Sequence, residues 1–375
     1  MRQPEFDMER WQSRYENTVR CNLSDSGILP FRLAEFCAFA NVDPGDVEFG
    51  YGSTEGTAEL RERVAALYPG AVPDDVLITT GSAEANFLVL WHLIEPGDRV
   101  VIVEPTYGQT PGLARGLGAD VVSLRLEEAY GWQPAPGAAA AAIRPGTRLV
   151  VVTNPNNPTG AVLSNDARAE IVEEAATAGA WILADEVYAG AEVGPDDAPA
   201  TPTLWGETSR VVATASLSKA YGLQGLRLGW AVAPAELREQ LWARKDYTSI
   251  APAVLSDFLA RAALDPEVRH RVLARCRRIV RENLGLVADW AATTPRVRCR
   301  PPDAGAICLF AYDAPISSLE LAERLRTDDS VLIVPGNHFG LDQAFRIGFG
   351  CDTAKLPRGL AAVASRLAEP VGVTG

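Results

Sequence analysis

Five short apolar segments, each bounded by turn residues, constrain the fold of this chain more than any other feature. They are VLITTG (76–81), RVVIVEP (99–105), RLVVVTNP (148–155), AWILADEV (180–187) and RVVATAS (210–216). Their β-branched residues follow one another without polar alternation, which is typical of strands buried on both faces. Helical patterns lie between them, for example at 82–94 and 164–179. This alternation predicts a mainly parallel sheet with helices on both faces over about residues 50–245.

A second, smaller unit is predicted after Pro266. Residues 266–292 have the pattern of one long amphipathic helix. Weaker strand patterns follow, AICLFAYD (306–313), SVLIVPG (330–336) and AFRIGFG (344–350), together with a helix at 318–328. We therefore predict a large domain over residues 46–265 and a smaller α+β domain over residues 266–375. An N-terminal arm over residues 1–45 is expected to complete the small domain.

Composition and charge argue against several classes of protein. The formal net charge of -13 disfavours nucleic acid as a partner, because phosphate binding needs a concentrated basic surface. No apolar run approaches the roughly 20 residues that cross a bilayer, and the N-terminus lacks a signal-peptide core. The six cysteines form no CxxC pair, so neither a zinc site nor a disulfide framework is expected. We expect a soluble cytoplasmic protein with no metal and no membrane or nucleic-acid partner.

Residues just beyond the predicted strands are the candidates for function, because ligands bind at the carboxyl ends of parallel strands. After the first strand, the chain passes through Gly81 into a helix. The opening N–H groups of that helix, at Ser82, Ala83 and Glu84, could hold a phosphate with help from the helix dipole. Gly-Ser before a helix is also an ordinary capping sequence, so a purely structural role stays open.

Asp185 ends the fourth predicted strand directly after four apolar residues, and Tyr188 follows three positions later. A buried carboxylate needs a partner, because burying an unpaired charge is expensive. Asp185 is therefore expected to pair with a cation. A structural salt bridge and a bound ligand both satisfy that expectation.

Lys219 follows the fifth predicted strand and is one of only three lysines among the 35 basic residues of the chain. Arginine cannot act as a nucleophilic amine at physiological pH, so a lysine retained here is a candidate for covalent chemistry, such as a Schiff base with an aldehyde. Ser216, Ser218 and Arg227 are close in sequence and could form a second grip on a phosphate. A phosphate, an aldehyde and a ring nitrogen that needs a carboxylate together describe pyridoxal 5′-phosphate (PLP).

Four longer segments carry a family resemblance. They are NPNNPTG (154–160), ADEVY (184–188), SLSKAYGLQGLRLGW (216–230) and FRIGF (345–349). In their order and spacing, and over nearly its whole length, the chain resembles the fold type I PLP enzymes of the class I/II aminotransferase family. The resemblance implies an α/β fold with a large PLP-binding domain and a smaller α+β domain. It also implies PLP as the cofactor and an amino acid as the substrate.

The resemblance implies roles for the residues around the cofactor ring. Lys219 would form the Schiff base with PLP, and Asp185 would hold the pyridine nitrogen protonated. Asn157 and Tyr188 would hydrogen-bond the phenolic oxygen, and Tyr107 would stack on the ring. Lys219, Asp185 and Tyr188 are accordingly the expected catalytic residues.

The resemblance also implies a phosphate site and a substrate site. The phosphate would be bound by Ser82, Ala83, Ser216, Ser218 and Arg227. Tyr51 would reach the phosphate of the neighbouring subunit, which implies a homodimer. Arg346, with Asn157 beside it, would clamp the substrate α-carboxylate, a bidentate task that suits a guanidinium.

The N-terminal segment departs from the family pattern. Ordinary members carry a Gly-Glu-Pro-Asp-Phe-like turn where the substrate carboxylate docks, whereas this chain has CNLSDSGILPF (21–31). That segment resembles the one in capreomycidine synthases, PLP enzymes of antibiotic biosynthesis that cyclise a β-hydroxyarginine. Asp25, Ser26 and Gly27 would then contact the substrate, with Asp25 paired to its guanidinium. Asp-Ser-Gly is also a plain turn sequence.

Two reactions are compatible with these residues. The resemblance to the cyclising enzymes implies α-deprotonation, loss of the β-hydroxyl as water and attack by the substrate's own guanidine nitrogen, giving a cyclic guanidino amino acid. Transamination of an L-amino acid is the alternative, because a lysine base serves either course. A PLP-sensing transcription regulator on the same fold is disfavoured by the net charge of -13.

Overall fold

The structure is a computed structural model that describes residues 3–195 and 198–369. Its strands are β1 (Cys21–Asn22), β2 (Val76–Thr79), β3 (Arg99–Glu104), β4 (Asp120–Glu127), β5 (Gln133–Pro134), β6 (Thr147–Thr153), β7 (Trp181–Asp185), β8 (Val211–Ser216), β9 (Gly229–Val232), β10 (Val297–Arg298), β11 (Ile307–Tyr312), β12 (Val331–Leu332), β13 (Val334–Pro335) and β14 (Ala344–Gly348). Its α-helices are α1 (Asp7–Tyr15), α2 (Leu33–Ala40), α3 (Ala58–Ala65), α4 (Gly81–Leu93), α5 (Gln109–Gly116), α6 (Ala138–Ala142), α7 (Asn165–Ala178), α8 (Ala235–Lys245), α9 (Val254–Leu264), α10 (Pro266–Thr293), α11 (Ser318–Arg324) and α12 (Leu356–Ala368).

Eight strands form the large sheet, in the spatial order β2-β9-β8-β7-β6-β3-β4-β5. The central strands β8, β7, β6, β3 and β4 pair in parallel. β9 is antiparallel to both β8 and β2, so β2 runs in the same direction as the central strands. The prediction of a mainly parallel sheet flanked by helices is confirmed, and all five predicted strands lie in this sheet.

Side-chain alternation along the buried strands divides the core of the large sheet into two layers. In β3, Val100 and Ile102 belong to a cluster with residues of α4 and α8. Val101 and Val103 belong to a second cluster, which contains residues of α6 and α7. Because helices cover both faces, every position of the strand interior has to be apolar.

A smaller antiparallel sheet has the order β10-β11-β14-β13. The segment predicted as one strand at 330–336 is divided between two partners, because β12 pairs with β1 of the N-terminal arm and β13 pairs with β14. The predicted long helix is confirmed as α10, Pro266–Thr293. The domain boundaries at residues 45/46 and 265/266 stay a prediction.

Across residues 3–195 and 198–369, no helix combines the length and the apolar character needed to cross a membrane. Over the same ranges, no group of three or more His, Cys, Asp and Glu side chains is placed to hold a metal ion. The cysteines at 21, 37, 276, 299, 308 and 351 are free thiols.

Lys245, the last residue of α8, is fully buried and anchors the loop that precedes α3. Its Nζ donates hydrogen bonds to the backbone carbonyls of Thr54, at 2.7 Å, and of Ile250, at 2.8 Å. Trp242 of the same helix donates from Nε1 to Thr54 Oγ1 at 3.0 Å. These contacts compensate the buried ammonium and fix the loop that carries Tyr51.

Replacing Lys245 with Met should destabilise the protein, because two buried carbonyl groups lose their donor. The expected loss is about 1–3 kcal/mol of unfolding free energy, measured by chemical denaturation. Lys355→Met is the matched control, since Lys355 is exposed, and it should change stability by less than about 0.5 kcal/mol. Equal stability of both variants would show that Lys245 is not an anchor.

Candidate active site

The carboxyl ends of β3, β6, β7 and β8 meet at one edge of the large sheet, where residues that follow these strands line a cavity of about 280 Å³. Eleven of the predicted site residues line it. They are Asp25, Ser26, Ser82, Ala83, Tyr107, Asn157, Asp185, Tyr188, Ser218, Lys219 and Arg227. Residues far apart in sequence are thus brought to one place by the parallel strand order.

Asp185 is a buried carboxylate at the end of the central strand β7 and is 5% exposed. Its Oδ2 accepts a hydrogen bond from Asn86 Nδ2 at 3.0 Å, and the Asn86 Oδ1 accepts one from Thr214 Oγ1 at 2.7 Å. Burial raises the pKa of Asp185 to about 6, against the opposing effects of its hydrogen bonds and the Lys219 charge. No basic side chain within the described ranges forms a salt bridge with it. The arrangement suits a cationic ligand atom, such as a protonated ring nitrogen.

The amine of Lys219 lies on the cavity wall just beyond β8. Its Nζ donates a hydrogen bond to Ser26 Oγ at 2.8 Å. Ser26 belongs to the N-terminal segment and is 8% exposed, so a residue 193 positions away in sequence holds the amine. An amine so placed faces the cavity and is available to an aldehyde.

One corner of the cavity is suited to an anion. The first N–H groups of α4, including those of Ser82 and Ala83, have no partner within the helix. Arg227 lies beside them and donates from Nη1 to Ser218 Oγ at 3.2 Å. Gly81 has a φ of +76°, and a Cβ there would lie 2.6 Å from Arg227 Nη2, so glycine is needed for this close approach. Helix dipole and guanidinium together favour a phosphate.

Three further residues lie where a ring would contact them. The hydroxyl of Tyr107 donates to Glu9 Oε1 at 2.7 Å. The Oδ1 of Asn157 accepts from Arg346 Nη1 at 2.8 Å, which leaves its Nδ2 as the donor for the cavity. Tyr188 is 3% exposed and lines the same space. With an acid at one end, an anion corner at the other and an amine between them, the cavity fits PLP.

The side chains of two residues predicted for the phosphate site, Ser216 and Glu84, form hydrogen bonds within the protein. Ser216 is 2% exposed, and its Oγ accepts from the backbone N–H of Ser218 at 3.2 Å, so it shapes the loop. The carboxylate of Glu84 accepts hydrogen bonds from Thr248 and from Ser249. The Glu84 carboxylate is therefore already engaged, and binding of a phosphate by its backbone N–H stays a prediction.

Two predicted substrate residues, Arg346 and Gly27, do not line the cavity. Arg346 is fully buried and does not line the cavity, because Met8 lies against it and its Nη2 donates to the Ser24 carbonyl at 2.5 Å. The predicted role of Arg346 in binding the substrate α-carboxylate stays a prediction. Gly27 lies within a turn in which its N–H donates to Asp25 Oδ1 at 2.8 Å.

Tyr51 does not reach the cavity of its own chain. Its side chain is 95% exposed, and that of the nearby Phe49 is 86% exposed. The backbone of the same loop is held at Thr54 by Lys245. The side chains of Phe49 and Tyr51 are therefore exposed to solvent on a loop whose backbone is anchored at Thr54.

The structure adds polar residues to the cavity that the sequence did not predict, Glu9, Gln12, Glu16 and Asn86 among them. Asn86 interrupts an apolar helical stretch, and a polar residue in such a place is a signal that it has a buried partner. The other three recur along the first helix at a spacing that puts them on one face. No sequence signal placed that face at the cavity.

Comparison with known proteins identifies the family. The model of the family described as aminotransferase class I and II matches residues 38–363. Capreomycidine synthase from Streptomyces vinaceus is 34% identical, over 97% of this chain and 94% of its own length.

Two solved structures are similar over nearly the whole chain. A PLP-dependent aminotransferase from Streptococcus suis has a TM-score of 0.91 at 33% identity, with 98% of each chain covered. The PLP-dependent cyclase OrfR has a TM-score of 0.89 at 29% identity, again with 98% of each chain covered. The chain therefore belongs to the class I and II aminotransferase family and is a PLP-dependent enzyme of fold type I.

Proposed function

We propose that the protein is a PLP-dependent cyclase that converts a β-hydroxylated L-arginine into a cyclic guanidino amino acid with loss of water. The observation that carries this proposal is the entry of the N-terminal segment into the cavity. Ser26 holds the Lys219 amine at 2.8 Å, and Asp25 lines the same space. The similarity to capreomycidine synthase over 97% of the chain and to the cyclase OrfR supports it.

Asp25 is placed to pair with a cationic side chain. One of its oxygens, Oδ1, is held by the N–H of Gly27, which orients the carboxylate. The other oxygen has no hydrogen-bond partner among the described residues and is free to accept from a guanidinium. A capreomycidine-type substrate would bring that group into the cavity together with its α-amino and α-carboxyl groups.

Two residues set up the first step. Bound PLP supplies an electron sink that makes the substrate α-proton acidic and permits loss of a β-substituent. Lys219 is the base in place to take the α-proton, and Ser26 holds its amine on that wall. Asp185 would hold the ring nitrogen protonated, because its buried carboxylate forms no salt bridge with the described residues.

Lys219 also provides the proton that the loss of the β-hydroxyl requires. The C–O bond at Cβ breaks, and the ammonium of Lys219 returns a proton so that the hydroxyl leaves as water. A guanidine nitrogen then bonds to Cβ and loses one proton, and Cα gains one. The product is the substrate minus one water, with every nitrogen retained and no second substrate consumed.

An L-amino acid aminotransferase is the second candidate. The similarity to the Streptococcus suis aminotransferase favours it, as does the pairing of Arg346 with Asn157, which puts a carboxylate-binding group beside the cavity. In that reaction Lys219 would again take the α-proton, and a keto acid must accept the nitrogen.

We also propose a homodimer in which Tyr51 completes the site of the neighbouring subunit. Its side chain is 95% exposed in the single chain, and its loop is anchored by Lys245 at Thr54. An exposed aromatic hydroxyl on a fixed loop suits a contact with a second copy near the phosphate corner.

The reaction is tested with the purified holoenzyme and β-hydroxyarginine in the absence of any keto acid. The expected product, followed by mass spectrometry, is lighter by one water and retains all nitrogen. Lys219→Ala should give no product and lose the visible absorption band of the bound cofactor. Conversion only when a keto acid is added would contradict the cyclase and favour the aminotransferase.

Asp185→Asn should change how stability depends on pH in the cofactor-free protein. The folded-state pKa of about 6 lies above the ordinary value of 3.8, so the stability from binding this proton is lost as pH rises through about 6. Between about pH 5.5 and about pH 7.5, the wild type should lose about 1 kcal/mol of unfolding free energy relative to the variant. Chemical denaturation of both proteins at the two pH values measures this, and a constant difference would argue against a protonated Asp185.

Tyr51→Phe should weaken PLP binding about tenfold, because one hydrogen bond to a charged group is lost. Mixed dimers test where that hydroxyl acts. When the Tyr51→Phe and Lys219→Ala variants are mixed and allowed to exchange subunits, each mixed dimer regains one intact site. We expect the mixture to bind PLP more tightly and to be more active than the sum of the two parent variants. If mixing gives no gain, Tyr51 acts in the site of its own subunit or in neither site.

A further inference from the structure

Helix α1 presents a row of oxygen acceptors to the cavity. Glu9, Gln12 and Glu16 line it together with Asp25. Glu16 follows the last residue of α1 and keeps helical backbone angles, with φ at -58° and ψ at -29°. The spacing of three and then four residues puts the three side chains on one face of the helix.

Two of these acceptors are oriented by hydrogen bonds. Glu9 accepts from the Tyr107 hydroxyl at 2.7 Å, which fixes one of its oxygens and leaves the other. Gln12 is 8% exposed, and its Nε2 donates to both the carbonyl and the hydroxyl of Ser24, at 2.8 Å and 3.1 Å. The amide is therefore turned so that Oε1 is a nearly buried acceptor with no partner in the described part of the chain.

Glu16 carries a charge that the protein does not compensate. Its carboxylate forms no hydrogen bond or salt bridge within residues 3–195 and 198–369, although the side chain is partly buried. Burial and the nearby carboxylates of Asp25 and Glu9 raise the pKa of Glu16, with an opposing effect from Lys219. Lys219 is already held by Ser26. A cation on the substrate would relieve this repulsion.

The oxygen acceptors of Glu9, Gln12, Glu16 and Asp25 favour a ligand that is cationic and rich in N–H donors. Guanidinium has five N–H donors in one plane and no acceptor, so it can satisfy several oxygens at once. A neutral ureido or aliphatic side chain would leave the carboxylates facing one another without a counter-charge. We propose that Glu9, Gln12 and Glu16 form, with Asp25, the subsite for the substrate guanidinium, and that Glu16 is its principal specificity-determining residue. The identification of the substrate as an arginine derivative rests on the proposed function.

The test uses L-arginine as the probe, because it has the guanidinium but no β-hydroxyl to lose. Binding to the holoenzyme is followed by the initial change in the visible absorption of PLP, with L-citrulline as the neutral ligand of nearly the same shape. The wild type should bind arginine more tightly than citrulline. Glu16→Gln keeps the size of the side chain and removes its charge, so it should weaken arginine binding about tenfold or more and leave citrulline binding unchanged.

A matched control and a second variant keep the result interpretable. Glu5→Gln removes a carboxylate from the same N-terminal arm but outside the cavity, where Glu5 is exposed and 3.6 Å from Arg10, and it should change neither affinity. Asp25→Asn should reduce the arginine preference in the same direction as Glu16→Gln, and it replaces that variant if Glu16→Gln fails to bind PLP.

The outcomes separate this proposal from the proposed reaction. An arginine-to-citrulline preference that stays the same in Glu16→Gln and in Asp25→Asn overturns the subsite, and so does a wild type without any preference. A holoenzyme that distinguishes the two ligands through Glu16 but does not cyclise β-hydroxyarginine supports the subsite and refutes the cyclase.

Discussion

The buried carboxylate of Asp185 is the interaction on which the rest of the cavity depends. It sits at the end of a strand covered on both faces, and its hydrogen bond from Asn86 ties that strand to α4 at 3.0 Å. Asn86 lies five residues after Gly81, so about 7–8 Å of helix separates the acid from the anion corner. The contact between β7 and α4 therefore relates the positions of the acid and the anion corner, the two ends of a ring-and-phosphate ligand.

The central strands are predictable from sequence because burial on both faces requires unbroken apolar runs. The strands that prediction missed obey other constraints. In β4 the ends are exposed, and Arg125 and Glu127 interrupt the apolar pattern. β9 has only the four residues GWAV and runs against its neighbours, so its length and direction depend on pairing with β8 and β2. Pairing of that kind is a long-range property that a local pattern does not record.

The difference between local patterns and long-range contacts also explains which site residues could be predicted from the sequence. Lys219, Asp185 and Asn157 could be predicted because each belongs to a local motif at a strand end. The role of α1 could not, because its contacts join distant parts of the chain, such as the bond from Trp11 Nε1 to the Ile333 carbonyl across 322 positions. Arg346 shows the limit of a motif, since the sequence identifies the guanidinium but not the Met8 side chain that lies against it.

Strand β14 of the small sheet contacts the segment of the N-terminal arm that reaches the cavity. In β14, Gly348 donates from its N–H to the Leu23 carbonyl at 2.6 Å, and a Cβ there would lie 1.6 Å from the Asp25 carbonyl oxygen. Two residues earlier, Arg346 bonds to Ser24 and to Asn157. β14 thus seats the segment that delivers Asp25 and Ser26, while the cofactor groups stand on the parallel strands of the other sheet. Because the two sets are built on different sheets, the proposed function implies that changes in the arm would alter the side chain that is recognised, and with it the reaction, without moving Asp185 or its partner on α4.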